Sequence, residues 1–163
     1  MTEPFATPLA ALMGTHARDG RCEWLGVRTE RRGEVRALER VEITENGLFG
    51  DHRSRPGKRA VTLIQSEHLP VIAALVADGA EVSWEALRRN IVVSGINLLA
   101  LRDAEFRIGG ALLRGTGICA PCSRMTEAFG PGGYNAVRGH GGITAAVVEP
   151  GPVAIGDRLS VPR

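Results

Sequence analysis

Apolar and polar residues alternate over residues 35–44, setting Val35, Ala37, Val41 and Ile43 on one face and predicting a half-buried strand. Residues 22–28 predict a strand before it, and Asn46-Gly47 marks the turn that follows. A short apolar strand over 60–65 is succeeded by Ser66, a candidate N-cap for a helix with Leu69, Ile72, Ala73 and Val76 at helical spacing, which Gly79 would close. Ser83 offers a cap for a second short helix over 84–89, leading into the strand Ile91-Val92-Val93. The segments 106–108 and 111–114 flank Gly109-Gly110, a pair that tolerates the positive φ of a two-residue hairpin turn. Strands over 145–149 and 153–161, with Pro150-Gly151 as their turn, complete the pattern. Residues 1–20 lack periodicity and are expected to be an arm or a short helix before one domain over 21–163. Short strands, glycine turns and only two or three short helices predict a mainly β fold closed into a barrel.

Length and composition narrow the range of functions. A chain of 163 residues makes one ordinary domain with a sound core. Its 20 basic against 18 acidic residues leave a net charge of only +2, which speaks against nucleic acid as a partner. Lys58 is the only lysine, so a pyridoxal phosphate Schiff base is not expected on this chain. The remaining basic residues are arginines, whose planar forks hold phosphates and carboxylates, although a GC-rich genome would enrich them too. The amino terminus carries Glu3 where a secretory peptide has bases, and no membrane span is expected. Three cysteines, an odd number, do not read as a secreted disulfide framework, so a cytoplasmic location is expected.

The chemistry-bearing stretch runs from Cys119-Ala120-Pro121-Cys122-Ser123-Arg124 to Arg138-Gly139-His140-Gly141-Gly142. A thiol beside arginines and a histidine is in the electropositive setting that stabilises a thiolate, and glycines let backbone N–H groups approach an anion. Cys122 is the leading functional residue. Other readings of C-x-x-C are half a zinc site, which lacks two further ligands at metal spacing, and a thioredoxin-type pair, which wants a helix in a βαβ unit. Cys119 and Cys22 are expected to be packed and inert. His140 either acts as a base or holds its loop through backbone bonds. Arg138 is either an anion contact or a surface charge, and Tyr134 either stacks on a planar ring or packs. Asp51 and Asp157, each after a glycine, are expected to bond nearby backbone N–H groups.

In order along the chain, Gly47-Leu48-Phe49-Gly50-Asp51, Ala60-Val61-Thr62-Leu63-Ile64, Arg88-Arg89-Asn90-Ile91-Val92-Val93-Ser94-Gly95, Phe106-Arg107-Ile108-Gly109, the cysteine block and Ile155-Gly156-Asp157 resemble the MOSC family, whose domain closes molybdenum cofactor sulfurases. The likeness covers roughly residues 40–160. It implies a MOSC-type barrel in which Cys122 matches the family cysteine that accepts sulfur or ligates molybdenum. Arg88 and Asn90 match the block that members place beside the cofactor. Position 89 is arginine where the molybdoenzyme branch usually has proline, and the 134–144 block is typical of small bacterial members. The implied site is Cys122 with Arg88, Asn90, Ser94, Arg124, Arg138, His140 and Gly141 around the molybdenum cofactor (molybdopterin), whose anionic phosphate the arginines would hold. Three roles follow: a sulfur carrier supplied by a cysteine desulfurase, a small molybdenum-dependent reductase of N-hydroxylated compounds served by an electron-donor protein, or a non-catalytic cofactor-binding or chaperone module.

Overall fold

The computed structural model describes residues 8–53 and 55–162. Seven strands close into a barrel: β1 (Gly20–Val27), β5 (Val61–Gln65), β6 (Ile91–Ser94), β7 (Glu105–Ile108), β8 (Ala111–Ile118), β9 (Ile143–Glu149) and β11 (Arg158–Ser160), where the intervening numbers belong to β2 (Arg36–Leu38), β3 (Arg40–Thr44), β4 (Gly47–Leu48) and β10 (Gly151–Ala154). The barrel order is β11-β7-β8-β9-β5-β6-β1, and pairing of β1 with β11 through Gly20↔Leu159 and Arg21↔Arg158 closes the ring. β2 extends from β1, while β10, β3 and β4 form a separate three-stranded sheet. The mainly β, closed-barrel expectation holds.

The predicted Gly109-Gly110 hairpin is present, with Ile108 opposite Ala111, and only Gly109 takes positive φ (54°). Several local expectations need correction. The strand foreseen over 35–44 breaks at Glu39 into β2 and β3, so Val41 and Ile43 are buried whereas Ala37 is exposed. Pro150-Gly151 does not fold β10 back onto β9; the chain leaves the barrel there and β10 pairs with β3. Residues 153–161 are two strands rather than one, turned by Gly156 at φ 95°.

Among the described residues helices number more than the two or three foreseen: five short ones, α1 (Pro8–Met13), α2 (His68–Ala73), α3 (Trp84–Leu87), α4 (Arg124–Phe129) and α5 (Gly133–Val137), plus a 3-10 turn over Leu98–Leu101. Helix α2 starts after Glu67 rather than Ser66, with no side-chain capping bond, and stops at Ala73, well before Gly79; Ile72 is its one buried residue, and Leu69 packs partly against the same cluster. Ser83 caps α3 as expected, its Oγ accepting the Ala86 N–H at 3.1 Å.

Residues 91–93 are apolar without alternation because both faces of β6 are covered. Ile91 and Val93 point into the barrel with Leu63, Phe106 and Leu113. Val92 points outward with Trp24 and Ile64, against Ile72, Leu87, Met125, Phe129 and Val137 of the helices. β5 and β6 pair in parallel, which requires a crossover, and α2 and α3 supply it. This outer helical layer anchors α4, and with it the cysteine segment that enters α4.

Candidate functional site

Four chain segments meet around one cavity of about 280 Å³: Arg28, Arg31 and Arg32 after β1; His52, Arg53 and Arg59 before β5, with Thr62 on it; Arg88 and Arg89 before β6; and residues 119–124 after β8, of which Cys119, Ala120, Cys122, Ser123 and Arg124 line it. Eight arginines converge there, and among the described residues no carboxylate lines the cavity. The near-neutral total of the chain conceals this: the other 12 basic residues stand against all 18 acidic ones. A cavity of one charge sign with low-dielectric walls focuses the field on a small anion.

The arginines divide by what holds them. Arg89 is 6 % exposed, and its guanidinium donates to three carbonyls: Nε to Gly141 at 2.8 Å, Nη1 to Leu87 at 3.1 Å and Nη2 to Ala120 at 3.3 Å. It ties the α3–β6 junction to the segments either side of α4 and α5. Arg124 donates to the Arg32 carbonyl and pairs with Glu127, and Arg88 donates from Nη2 to the Gly33 carbonyl at 3.0 Å. Arg88 ends α3 at φ 62°, the only non-glycine with positive φ among the described residues, a conformation costing roughly 1–2 kcal/mol that tends to mark functional sites. Its Nε is buried without a partner.

Burial lowers the Arg88 guanidinium below its ordinary range, helped by Arg28 and Arg124, while a negative Cys122 sulfur opposes the shift. Burial likewise lowers Arg28; Asp51 and Cys122 oppose, and Arg89 and Arg53 add repulsion. The thiol of Cys122 therefore sits within electrostatic reach of both. His52 is held below its usual range chiefly by burial, against the pull of Asp51 at 3.5 Å. Asp51 has the expected structural role: its Oδ1 accepts the Arg28 backbone N–H at 2.8 Å. Asp157 does the same for Ala154 at 2.8 Å.

Of the residues named from sequence, the structure brings Cys122, Arg88 and Arg124 together in the cavity. It sets the others elsewhere. Asn90 is occupied internally: its Oδ1 accepts from the Thr62 backbone N–H and hydroxyl, and its Nδ2 donates to the Gly26 carbonyl. Ser94, at the far end of β6, donates to Glu23 at 2.7 Å. Arg138 is exposed outside the cavity lining, and His140 packs edge-on against His68 with ring centroids 5.4 Å apart. Gly141 backs the site through its carbonyl to Arg89, and a Cβ there would lie 2.7 Å from the Cys119 carbonyl oxygen. Of the 138–142 loop, the Gly141 and Gly142 carbonyls meet the cavity wall, accepting from Arg89 and from the Cys119 N–H. Sequence reasoning passed over Arg28, Arg31, Arg32, Arg53, Arg59, Arg89 and His52. The basic runs 28–32 and 53–59 were the available signal.

Cys122 is exposed, whereas Cys22 and Cys119 are buried, and all three are free. Burial pushes the Cys22 thiol up to about 12. At pH 8 iodoacetamide is therefore expected to modify one thiol per native chain, mapped to Cys122, and all three in denaturant. Native labelling of Cys22 would contradict this placement. Among the described residues no cluster of three metal-ligating side chains is present, which leaves the zinc reading without its further ligands. No described helix is long and apolar enough to cross a membrane.

The fold and the site together define the class: a closed β-barrel that gathers arginines around an exposed thiol. The chain belongs to the MOSC domain family, whose model matches residues 48–160. The family is associated with molybdenum cofactor binding. Among solved structures, the YuaD protein from Bacillus subtilis superimposes with a TM-score of 0.76 at 18 % identity, covering 89 % of this chain and 97 % of that one. YiiM from Geobacillus stearothermophilus gives 0.70 at 16 % identity, covering 88 % and 75 %. YiiM from Escherichia coli gives 0.69 at 22 % identity, covering 88 % and 70 %. At these identities the likeness establishes the fold. No curated protein matches the chain in sequence.

Proposed function

We propose that the cavity binds molybdenum cofactor and that Cys122 carries sulfur to it. One observation carries the reading: an accessible thiol opens into a cavity with eight arginines and no carboxylate. The residues fit that group. Its phosphate suits guanidinium forks, the buried Nε of Arg88 has an unused N–H for an acceptor, and a thiolate is a soft ligand suited to a thiophilic metal centre. Arg28, Arg88 and Arg124 would hold the phosphate, with Cys122 at the metal end; when bound, the group supplies a metal centre that accepts sulfur.

The chain's own step is nucleophilic. The Cys122 thiolate attacks the outer sulfur of a persulfide donor, such as one formed on a cysteine desulfurase. A bond from Sγ to that sulfur forms, the donor's S–S bond breaks, and the donor leaves as a thiolate. The arginines of the cavity face the persulfide anion that forms.

Anaerobic incubation with molybdenum cofactor followed by desalting tests the reading. Pterin is expected to stay with the wild type and with Cys122→Ser, because the arginines provide the affinity. Absence of pterin from both would overturn it. Molybdenum kept by the wild type but lost from the variant would favour the second reading, in which Cys122 ligates the metal and the chain is a reductase of N-hydroxylated compounds fed by an electron-donor protein. The exposed position of the thiol within the cavity favours that reading equally. A cofactor-holding module without chemistry would show identical retention and no sulfur transfer.

A further inference from the structure

The cavity that holds Cys122 has a volume of about 280 Å³, just below the range typical of sites for drug-sized ligands, so it also suits an anion of only a few atoms. Eight guanidiniums surround that space, and among the described residues no carboxylate does. Arg89 has all three of its nitrogens on carbonyl oxygens, so it supplies charge rather than a free donor. The Nε of Arg88 is buried without a partner, which leaves its N–H available to an oxyanion. Arg28 and Arg88 both lie within electrostatic reach of the Cys122 sulfur. A thiolate leaving from a protein persulfide carries a single negative charge at its sulfur, and few of these arginines are needed to answer it. A leaving group that is itself a multiply charged oxyanion engages more of them.

We propose that Cys122 also takes sulfur from small-molecule donors whose sulfane sulfur is bonded to a sulfonate, thiosulfate being the simplest, so that the chain is a thiosulfate-type sulfurtransferase. This rests on the carrier reading above and names a substrate class for the same thiol. The Cys122 thiolate attacks the outer sulfur of thiosulfate. A bond from Sγ to that sulfur forms, the S–S bond to the sulfonate sulfur breaks, and the bonding pair leaves with sulfite. No outside oxidant or reductant enters, because the sulfane sulfur arrives at the oxidation level at which the persulfide holds it. In-line attack sets the sulfonate on the side away from Sγ, among the guanidiniums, where Arg28 and the free N–H of Arg88 meet oxygens whose charge grows as sulfite departs.

Thiocyanate formation from thiosulfate, with cyanide as the acceptor that strips sulfur from the Cys122 persulfide, tests the proposal, beside mass spectrometry of the chain after each donor alone. The wild type is expected to turn over and to gain one sulfur on Cys122, and Cys122→Ser to do neither. Sulfate, a tetrahedral oxyanion without a sulfane sulfur, is expected to compete with thiosulfate. Arg28→Gln should raise the KM for thiosulfate about tenfold and change loading from hydroxyethyl persulfide, which has no sulfonate, by less than about twofold. Arg138→Gln, outside the cavity lining, should alter neither. Loading of wild-type Cys122 by hydroxyethyl persulfide but not by thiosulfate would overturn the proposal and leave the carrier reading standing; failure of both donors would end both. Equal weakening of the two donors by Arg28→Gln would mean that this arginine supports the fold rather than the sulfonate, and would overturn its assignment.

Discussion

Cys122→Ser is expected to reduce sulfur transfer from a persulfide donor to the uncatalysed background. A serine hydroxyl at neutral pH is neither ionised nor soft enough to form the Sγ–S bond on which the step depends. Because Cys122 is exposed and its side chain anchors nothing, the same variant should change unfolding free energy by less than about 0.5 kcal/mol. Mass spectrometry after incubation with the donor should show one added sulfur on the wild type, lost on reduction with dithiothreitol, and none on the variant. Full transfer by Cys122→Ser would remove the chemistry from this residue. Transfer of sulfur to Cys119 instead would mean that the cavity wall opens to expose a thiol that is 3 % exposed in the folded chain.

Arg89→Met is expected to cost about 3–5 kcal/mol of stability, from three buried carbonyls that lose their donor. The thioether fills much of the space but donates to none of the Gly141, Leu87 and Ala120 carbonyls. Each carbonyl left unsatisfied costs about 1–3 kcal/mol, partly recovered if water enters. Urea unfolding should show a lower midpoint with an unchanged slope. Arg89→Lys keeps the charge but not the fork, and one ammonium cannot replace three donors on a planar group. Iodoacetamide should then begin to label Cys119, whose N–H is bonded to the Gly142 carbonyl and whose own segment Arg89 restrains through Ala120. A loss below about 1 kcal/mol would mean that hydrated carbonyls replace the guanidinium with little penalty. The arginine that departs from the proline of the molybdoenzyme branch thus has a physical role of its own, bracing the wall of the cavity.

What could be read from the chain was local. The Gly109-Gly110 turn, the Ser83 cap and the apolar strands around Leu63 and Ile91 depend on residues within a few positions, so periodicity and turn chemistry expose them. That Cys122 stands beside Arg124 was legible because the two are neighbours along the chain. The break at Glu39 and the departure of β10 to a second sheet were not legible, since strand pairing is decided by partners over a hundred residues away, such as Arg40 with Ala154. The same holds for the site. Arg28 and Arg88 are 60 positions apart, and nothing local says that the loop after β1 will meet the α3–β6 junction. Nor could spacing show that Asn90 would spend its amide on Thr62 and Gly26 while its neighbour Arg89 braced the cavity wall. By itself the sequence determined the local strands, the Gly109-Gly110 turn and the basic neighbours of Cys122 along the chain, because these follow from short-range sterics and chemistry. Only barrel closure, through β1 on β11 and the parallel pairing of β5 with β6, decided which arginines would share one cavity with that thiol.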